Sequence, residues 1–261
     1  MKSFKKIIHQ IWFQGKNKIP ERFLLNIKKN KSFTDWEYKI WDNESILKLL
    51  ATMNPKYLDK YKKYKLLHQK VDYGRYCILY KYGGFYIDMD AYMIKDPSFL
   101  IEKYPKVEVF ISKINLNYLE SLLSSGNLQI LNNGIILAHK NSNLMYNLIN
   151  KCPQDSNYPI EIMKIQLTTG PQTFRKIVKQ SKNIKILEYD FFEPCIKNIC
   201  NKTLNTITLH KHEGSWVKPY FNKCIVFYLK YKYKIYWILF CIFLLNIIFI
   251  YYYIKYYKIE K

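Results

Sequence analysis

Asp88 and Asp90 stand one residue apart behind the short apolar run Phe85-Tyr86-Ile87. Alternate side chains of an extended chain share a face, so this spacing predicts two converging carboxylates while Met89 turns towards packing. Two hard oxygen donors with no neighbouring cysteine suit Mn2+ or Mg2+. Upstream, Asp72 and Arg75 lie three residues apart in a stretch of helical patterning, a separation that sets a carboxylate and a guanidinium on one helix face. Of the 42 Lys and Arg residues only Arg22, Arg75 and Arg175 are Arg, so an Arg in this stretch carries more information than any of the lysines.

The elements that must present these groups are legible. Leu66 to Tyr82 reads as a helix, Gly83-Gly84 as its left-handed stop, and Phe85 to Asp88 as a strand. Further strands are expected at Ile7 to Phe13, Tyr38 to Trp41, Val107 to Ile111, Ile135 to Ala138, Ile184 to Leu187 and Thr206 to Leu209, and further helices at Ser45 to Met53, Ser142 to Lys151 and Pro171 to Gln180. Strands alternating with helices indicate an α/β domain around a mostly parallel central sheet. In such sheets ligands bind outside the carboxyl ends of the strands, where the carboxylate pair falls.

The run Asp72, Arg75, Leu79, Gly83, Gly84, Tyr86, Asp88 and Asp90 resembles the sugar-binding region of the D-x-D glycosyltransferases of family 32, the group that includes the inositolphosphoceramide mannosyltransferases; large clostridial toxin glucosyltransferases share the constellation. Supporting segments follow in order: Ile7 to Trp12, Pro20, Trp36, Trp41-Asp42, Asn133-Gly134, Thr169-Gly170-Pro171, and a closing His210, His212, Gly214-Ser215-Trp216.

The resemblance implies a GT-A-type nucleotide-sugar-binding domain. In it Asp88 and Asp90 would hold Mn2+ or Mg2+ on the diphosphate of a UDP- or GDP-hexose. Asp72 would bond donor-sugar hydroxyls, Arg75 would sit against sugar or phosphate, and Trp12 would stack on the base. Tyr86 and Asn133 would line the donor site, Ser215 and Trp216 would close over the diphosphate, and His212 or His210 would reach the metal. The reaction would transfer a hexose to a glycan, glycolipid or protein acceptor with retention of configuration. Gly74 departs from the apolar residue usual before the Arg, and Glu213 intervenes before Gly-Ser-Trp.

From Ile235 to Ile254 the chain runs for twenty residues without a charge, enough as a helix to cross the roughly 30 Å hydrocarbon core of a bilayer. The expected organisation is a glycosyltransferase domain over 1–222, a basic juxtamembrane segment over 223–234, a transmembrane helix over 235–254 and a charged tail over 255–261. Lysines flank both ends of the span and give no orientation. The N-terminus lacks the apolar core of a signal peptide, so the catalytic domain is expected on the cytosolic side by default, with the lumenal side left open. Asn30, Asn43 and Asn201 head N-x-S/T sequons that point weakly the other way.

A net charge of +22 invites a polyanionic partner. The competing class is a membrane-tethered basic protein with a degenerate, inactive domain that binds nucleic acid or anionic lipid. Nucleic-acid readers gather Arg, Lys and exposed aromatics on one face; here the rare Arg75 sits in the D-x-x-R run, so no nucleic acid is expected. Aspartate-nucleophile phosphatases also use D-x-D, with Thr or Val two residues on, where this chain has Tyr92. The six cysteines form no C-x-x-C pair, which disfavours a zinc or redox motif; Cys195 and Cys200 could pair in an oxidising lumen, which spacing does not decide.

Overall fold

The computed structural model describes residues 4–115, 130–154, 158, 160–196, 199–212 and 219–259. They divide into two units, Met1–Glu213 and Gly214–Lys261. The first contains strands β1 (Ile7–Ile11), β2 (Glu37–Trp41), β3 (Gly84–Ile87), β4 (Ala91–Met93), β5 (Val109–Ser112), β6 (Ile135–Ala138), β7 (Ile184–Leu187), β8 (Cys195–Ile196), β9 (Ile199–Cys200) and β10 (Thr208–His210). Six of them form one sheet in the order β2-β1-β3-β6-β5-β7. Strand β6 runs against both neighbours and the other pairings are parallel, so the expected mostly parallel α/β sheet is present.

Helix α1 spans Leu24–Lys31, α2 Asn43–Ala51, α3 Pro55–Lys63 and α4 Leu67–Tyr82. Both faces of the sheet are covered, and side chains divide between them with the period of two that a strand imposes. Tyr86, Val109, Ile111, Ile136 and Ala138 pack with α2, α4 and the helix Asn143–Lys151, whereas Ile8, Phe85, Ile87, Phe110, Ile135 and Leu137 pack with Leu187, Phe192 and Ile207. Burial on both sides explains why the strands read as unbroken apolar runs. Each fully buried Ile, Leu or Phe contributes about 1.5–3 kcal/mol relative to an exposed one.

The double glycine makes the passage from α4 to β3 possible. Gly83 and Gly84 have φ of 69° and 99°, and Gly83 N–H closes the helix on the Leu79 carbonyl at 2.8 Å. A Cβ on Gly83 would lie 2.6 Å from Lys140 N, and one on Gly84 2.5 Å from the Ile7 carbonyl oxygen. His9 secures the same corner. Trp41 Nε1–H donates to its Nδ1 at 3.1 Å, so the imidazole proton sits on Nε2 and donates to the Gly83 carbonyl at 2.9 Å. Burial keeps this ring neutral, with a pKa lowered to about 4, in keeping with a structural role.

Two expectations are corrected here. Strand β3 ends at Ile87, and Asp88 to Asp90 lie in a turn closed by Ala91 N–H on the Asp88 carbonyl at 3.0 Å. The carboxylates converge because the chain turns, not because strand side chains alternate. Likewise β10 does not join the main sheet but pairs antiparallel with β4, the short strand after the turn. Helix α1 clamps that region: Asn26 Nδ2 donates to the Met89 carbonyl at 3.0 Å, and Asn30 accepts from Met93 N–H at 2.8 Å. Met89 itself packs against Phe23 and Ile27.

The described residues of the second unit form a helix, Pro219–Ile259. Its segment Tyr233–Tyr253 has mean hydropathy 2.3 and is long and apolar enough to cross a membrane. Asn246 Nδ2 donates to the Ile242 carbonyl at 2.8 Å, which satisfies one donor of the polar group inside this segment.

Candidate active site

Helix α4, strand β3 and the turn after it deliver Asp72, Arg75, Tyr86 and Asp88 to one place. Arg75 Nη2 lies 3.1 Å from Asp72 Oδ1 and 3.3 Å from Asp88 Oδ1, and Nη1 donates to the Asn133 carbonyl at 2.6 Å. The guanidinium also rests over the Tyr86 ring, 4.6 Å from its centroid, and the Tyr86 hydroxyl donates to Asp88 Oδ1 at 2.9 Å. Arg75 and Tyr86 therefore both engage one oxygen of Asp88. Its other oxygen, Oδ2, faces Gly134, where a Cβ would lie 2.5 Å away. Gln10 Nε2 fixes the backbone by donating to the Asp88 carbonyl at 3.0 Å.

Asn133 ties this ionic group to the helix behind it. Its Nδ2 donates to Asp72 Oδ1 at 3.0 Å and to Tyr76 Oη at 2.8 Å, and Tyr76 in turn donates to the Thr169 carbonyl at 2.7 Å. Asp72 and Arg75 are 6% and 5% exposed. Burial raises Asp72, and Arg75 opposes that rise only in part, leaving its pKa at about 7. Two carboxylates sharing one guanidinium in a low-dielectric site explain the incomplete compensation.

Asp90 belongs to a second group. His210 lies between carboxylates: Nε2 is 3.1 Å from Asp90 Oδ1 and Nδ1 is 3.0 Å from Glu193 Oε2. His212, at φ 50°, stacks its ring on His210 with centroids 3.9 Å apart, and its Nε2 is 2.7 Å from Glu193 Oε2. The two histidines meet through this left-handed residue rather than as alternates on a strand, since β10 ends at His210. Asn132 Nδ2 adds a bond to Glu193 Oε1 at 2.8 Å. Burial opposes the charge on Glu193, yet His210 and His212 outweigh it and hold the carboxyl at about 2. Burial would also discharge His210, but Glu193 and Asp90 raise it well above the ordinary imidazole range.

Ligand atoms of Asp88, Asp90 and His210 lie within 4.8 Å of one another, as do those of Glu193, His210 and His212. The first set, two carboxylates and one imidazole, fits a hard or borderline divalent cation. Asp88 and Asp90 stand beyond the carboxyl end of β3, where the sequence placed the carboxylate pair.

The family model for the glycosyltransferase sugar-binding region containing the DXD motif matches residues 20–111. An uncharacterized glycosyltransferase of Acanthamoeba polyphaga mimivirus is 30% identical over 241 residues, which covers 85% of this chain and 87% of that protein. The chain belongs to the DXD glycosyltransferase family. Inositol phosphoceramide mannosyltransferase 3 of Schizosaccharomyces pombe is 41% identical to this glycosyltransferase over 87 residues, 33% of the chain and 24% of that enzyme. A mannosyl phosphorylinositol ceramide synthase of Saccharomyces cerevisiae is 32% identical over 108 residues, 38% of the chain and 28% of its own length. The chain thus aligns with about a quarter of each yeast protein. Among solved structures, the PaToxG glycosyltransferase aligns at 18% identity with a TM-score of 0.47, covering 68% of this chain and 69% of its own.

Within this glycosyltransferase the sequence-predicted residues separate into three sets. Asp72, Arg75, Tyr86, Asp88 and Asn133 form one bonded network, and Asp90 with His210 and His212 forms its neighbour. Trp12 follows β1, half-buried against Phe23, with Nε1–H donating to the Lys18 carbonyl at 2.9 Å. Ser215 and Trp216 lie outside the described residues. Glu193 and Asn132 were not foreseen. Glu193 has no motif around it and comes to the site only through the three-dimensional fold; Asn132 adjoins the expected Asn133, a weak signal that was there to be followed.

Proposed function

We propose that this glycosyltransferase is a membrane-anchored, divalent-metal-dependent hexosyltransferase with a GT-A-type donor site, using a UDP- or GDP-hexose and acting with retention of configuration. The observation that carries the reading is the convergence of Asp88, Asp90 and His210 beside the buried Asp72–Arg75 pair. Mn2+ or Mg2+ bound by these three residues would neutralise the diphosphate as the donor bond breaks.

The chain's own groups prepare that event. Arg75 and Tyr86 engage Asp88 Oδ1 and leave Oδ2 for the cation. Glu193 accepts the Nδ1 proton of His210 and Asp90 faces Nε2; a bound cation would take the place of the Nε2 proton, with the carboxylate behind the ring fixing its tautomer and orientation. Asp72 Oδ2, which accepts a long bond from Thr169 Oγ1 at 3.4 Å, would take a donor hydroxyl. Arg75 acts mainly as a positioning residue, because Asn133, Asp72 and Asp88 already engage both terminal nitrogens. Such preorganised charge needs no rearrangement when the leaving group forms.

The helix segment Tyr233–Tyr253 would hold the domain at a bilayer and so near glycolipid or membrane-glycan acceptors. The yeast relatives named above make a mannose donor and an inositol phosphoceramide-type acceptor the first pair to try. The full chain in detergent micelles with Mn2+ should hydrolyse one member of a panel of UDP- and GDP-hexoses at least tenfold faster than the others. Equal background rates with every donor would overturn the reading. The intact ionic network gives an inactive, merely basic relative no support.

A further inference from the structure

Two observations outside the active site bear on which side of a membrane this domain matures. Cys195 and Cys200 are joined by a disulfide across the β8–β9 pair. Disulfides persist in oxidising compartments and are rare where glutathione keeps thiols reduced. The link lies next to the site: Cys195 follows Glu193 and Pro194, and Asn201 N–H closes the loop by donating to the Pro194 carbonyl at 3.0 Å. Among the other described cysteines, Cys77 and Cys152 are buried free thiols and Cys241 is a half-buried one in the second unit.

The fold also sorts the three sequons. Asn30 is fully buried, and both ends of its amide are engaged by β4, through the Ala91 carbonyl and Met93 N–H; a glycan there would exclude the native fold. Asn43 is half-buried at the start of α2 and accepts from the Tyr61 hydroxyl at 2.9 Å. Asn201 is exposed, and so are Lys202 and Thr203 after it. An N-x-T acceptor on the surface of a domain that reaches a secretory compartment is the setting for N-glycosylation.

We propose that Asn201 is an N-glycan acceptor, on a domain that matures on the oxidising, lumenal or exoplasmic side of its membrane with Cys195 and Cys200 linked. The two features are adjacent in sequence and require the same compartment, although neither depends on the other. This is the opposite side from the one expected by default from the N-terminal sequence. It would direct the candidate active site towards acceptors of the lumen or outer surface.

The test is expression of the full chain in a eukaryotic cell line, followed by endoglycosidase treatment and thiol alkylation before and after reduction. The expected result is one endoglycosidase-sensitive form, lost in Asn201→Gln and kept in Asn43→Gln, together with Cys195 and Cys200 peptides that alkylate only after reduction. A chain without glycan, a glycan that survives Asn201→Gln, or Cys195 and Cys200 alkylated without reduction would overturn the proposal. If a Cys195→Ser variant fails to accumulate, the alkylation pattern of the unsubstituted chain still decides. No readout involves sugar transfer, so failure here leaves the proposed reaction untouched.

Discussion

Arg75 Nη2 stands 3.3 Å from Asp88 Oδ1, so the helix that ends in the double glycine and the turn that follows β3 are joined through one guanidinium. The same nitrogen lies 3.1 Å from Asp72. A planar fork can reach two carboxylates and a carbonyl at once; an ammonium offers a compact charge on a flexible stem.

Arg75→Lys is therefore expected to behave like Arg75→Ala in donor turnover, at least tenfold below wild type, although it keeps the charge. Removing one partner of a buried ionic group costs about 3–5 kcal/mol, so Arg75→Ala should also melt at lower temperature. Turnover by the Lys variant within about twofold of wild type, under roughly 0.5 kcal/mol of transition-state stabilisation, would contradict the role given to this geometry.

Asp72 predicts a pH dependence of stability. Its folded pKa of about 7 stands above the ordinary carboxyl value, so between about pH 4 and 7 the folded state binds more protons here than the unfolded state. The group's contribution is fully present below the unfolded pKa and declines as pH rises through that window. Asp72→Asn removes the titration. Relative to wild type, its unfolding free energy should rise with pH across the window, by up to about 1.4 kcal/mol per pH unit, as read from urea melts in matched buffers. Parallel curves for the two proteins would show that Asp72 does not titrate in this way.

Glu193→Gln should weaken Mn2+ binding by about ten- to a hundredfold, the usual effect of deleting a carboxylate behind a ligating histidine. Electron paramagnetic resonance of free Mn2+ in titrations of the folded protein measures this directly. His212→Ala, which leaves the Glu193–His210–Asp90 line in place, should change the affinity much less. An unchanged dissociation constant in Glu193→Gln would reduce Glu193 to a packing role.

The legibility of this chain follows from the range of its interactions. The helix Leu67–Tyr82, the glycine stop and the carboxylate pair were readable because their determinants are local: a 3.6-residue pattern, positive φ at Gly83 and Gly84, and spacing within one motif. The sheet strands were readable because both faces are buried. Helix α1 was not foreseen, since LLNIKKNK buries Asn26 and Asn30 along with Ile27 and lacks an apolar stripe. Its asparagines are spent on backbone groups of the D-x-D turn and β4, contacts that no local pattern announces. Gly74 reads as a helix defect in sequence, yet a Cβ there would come 3.1 Å from Ile46 Cδ1, so it permits the close approach of α4 and α2. Glu193 escaped because its partners lie 17 and 19 residues further on and only the fold returns them.

The central claim, that Asp88 and Asp90 with His210 form a divalent-metal site essential for sugar transfer, is tested most directly by donor turnover against added Mn2+. Protein stripped with EDTA should be inactive and should recover on Mn2+ addition, more than with Ca2+, because small hard cations match a carboxylate pair and a diphosphate. Asp88→Asn and Asp90→Asn should lose a hundredfold or more, roughly 3 kcal/mol of transition-state stabilisation, while remaining folded. Full turnover in excess EDTA, or wild-type rates in both variants, would contradict the account.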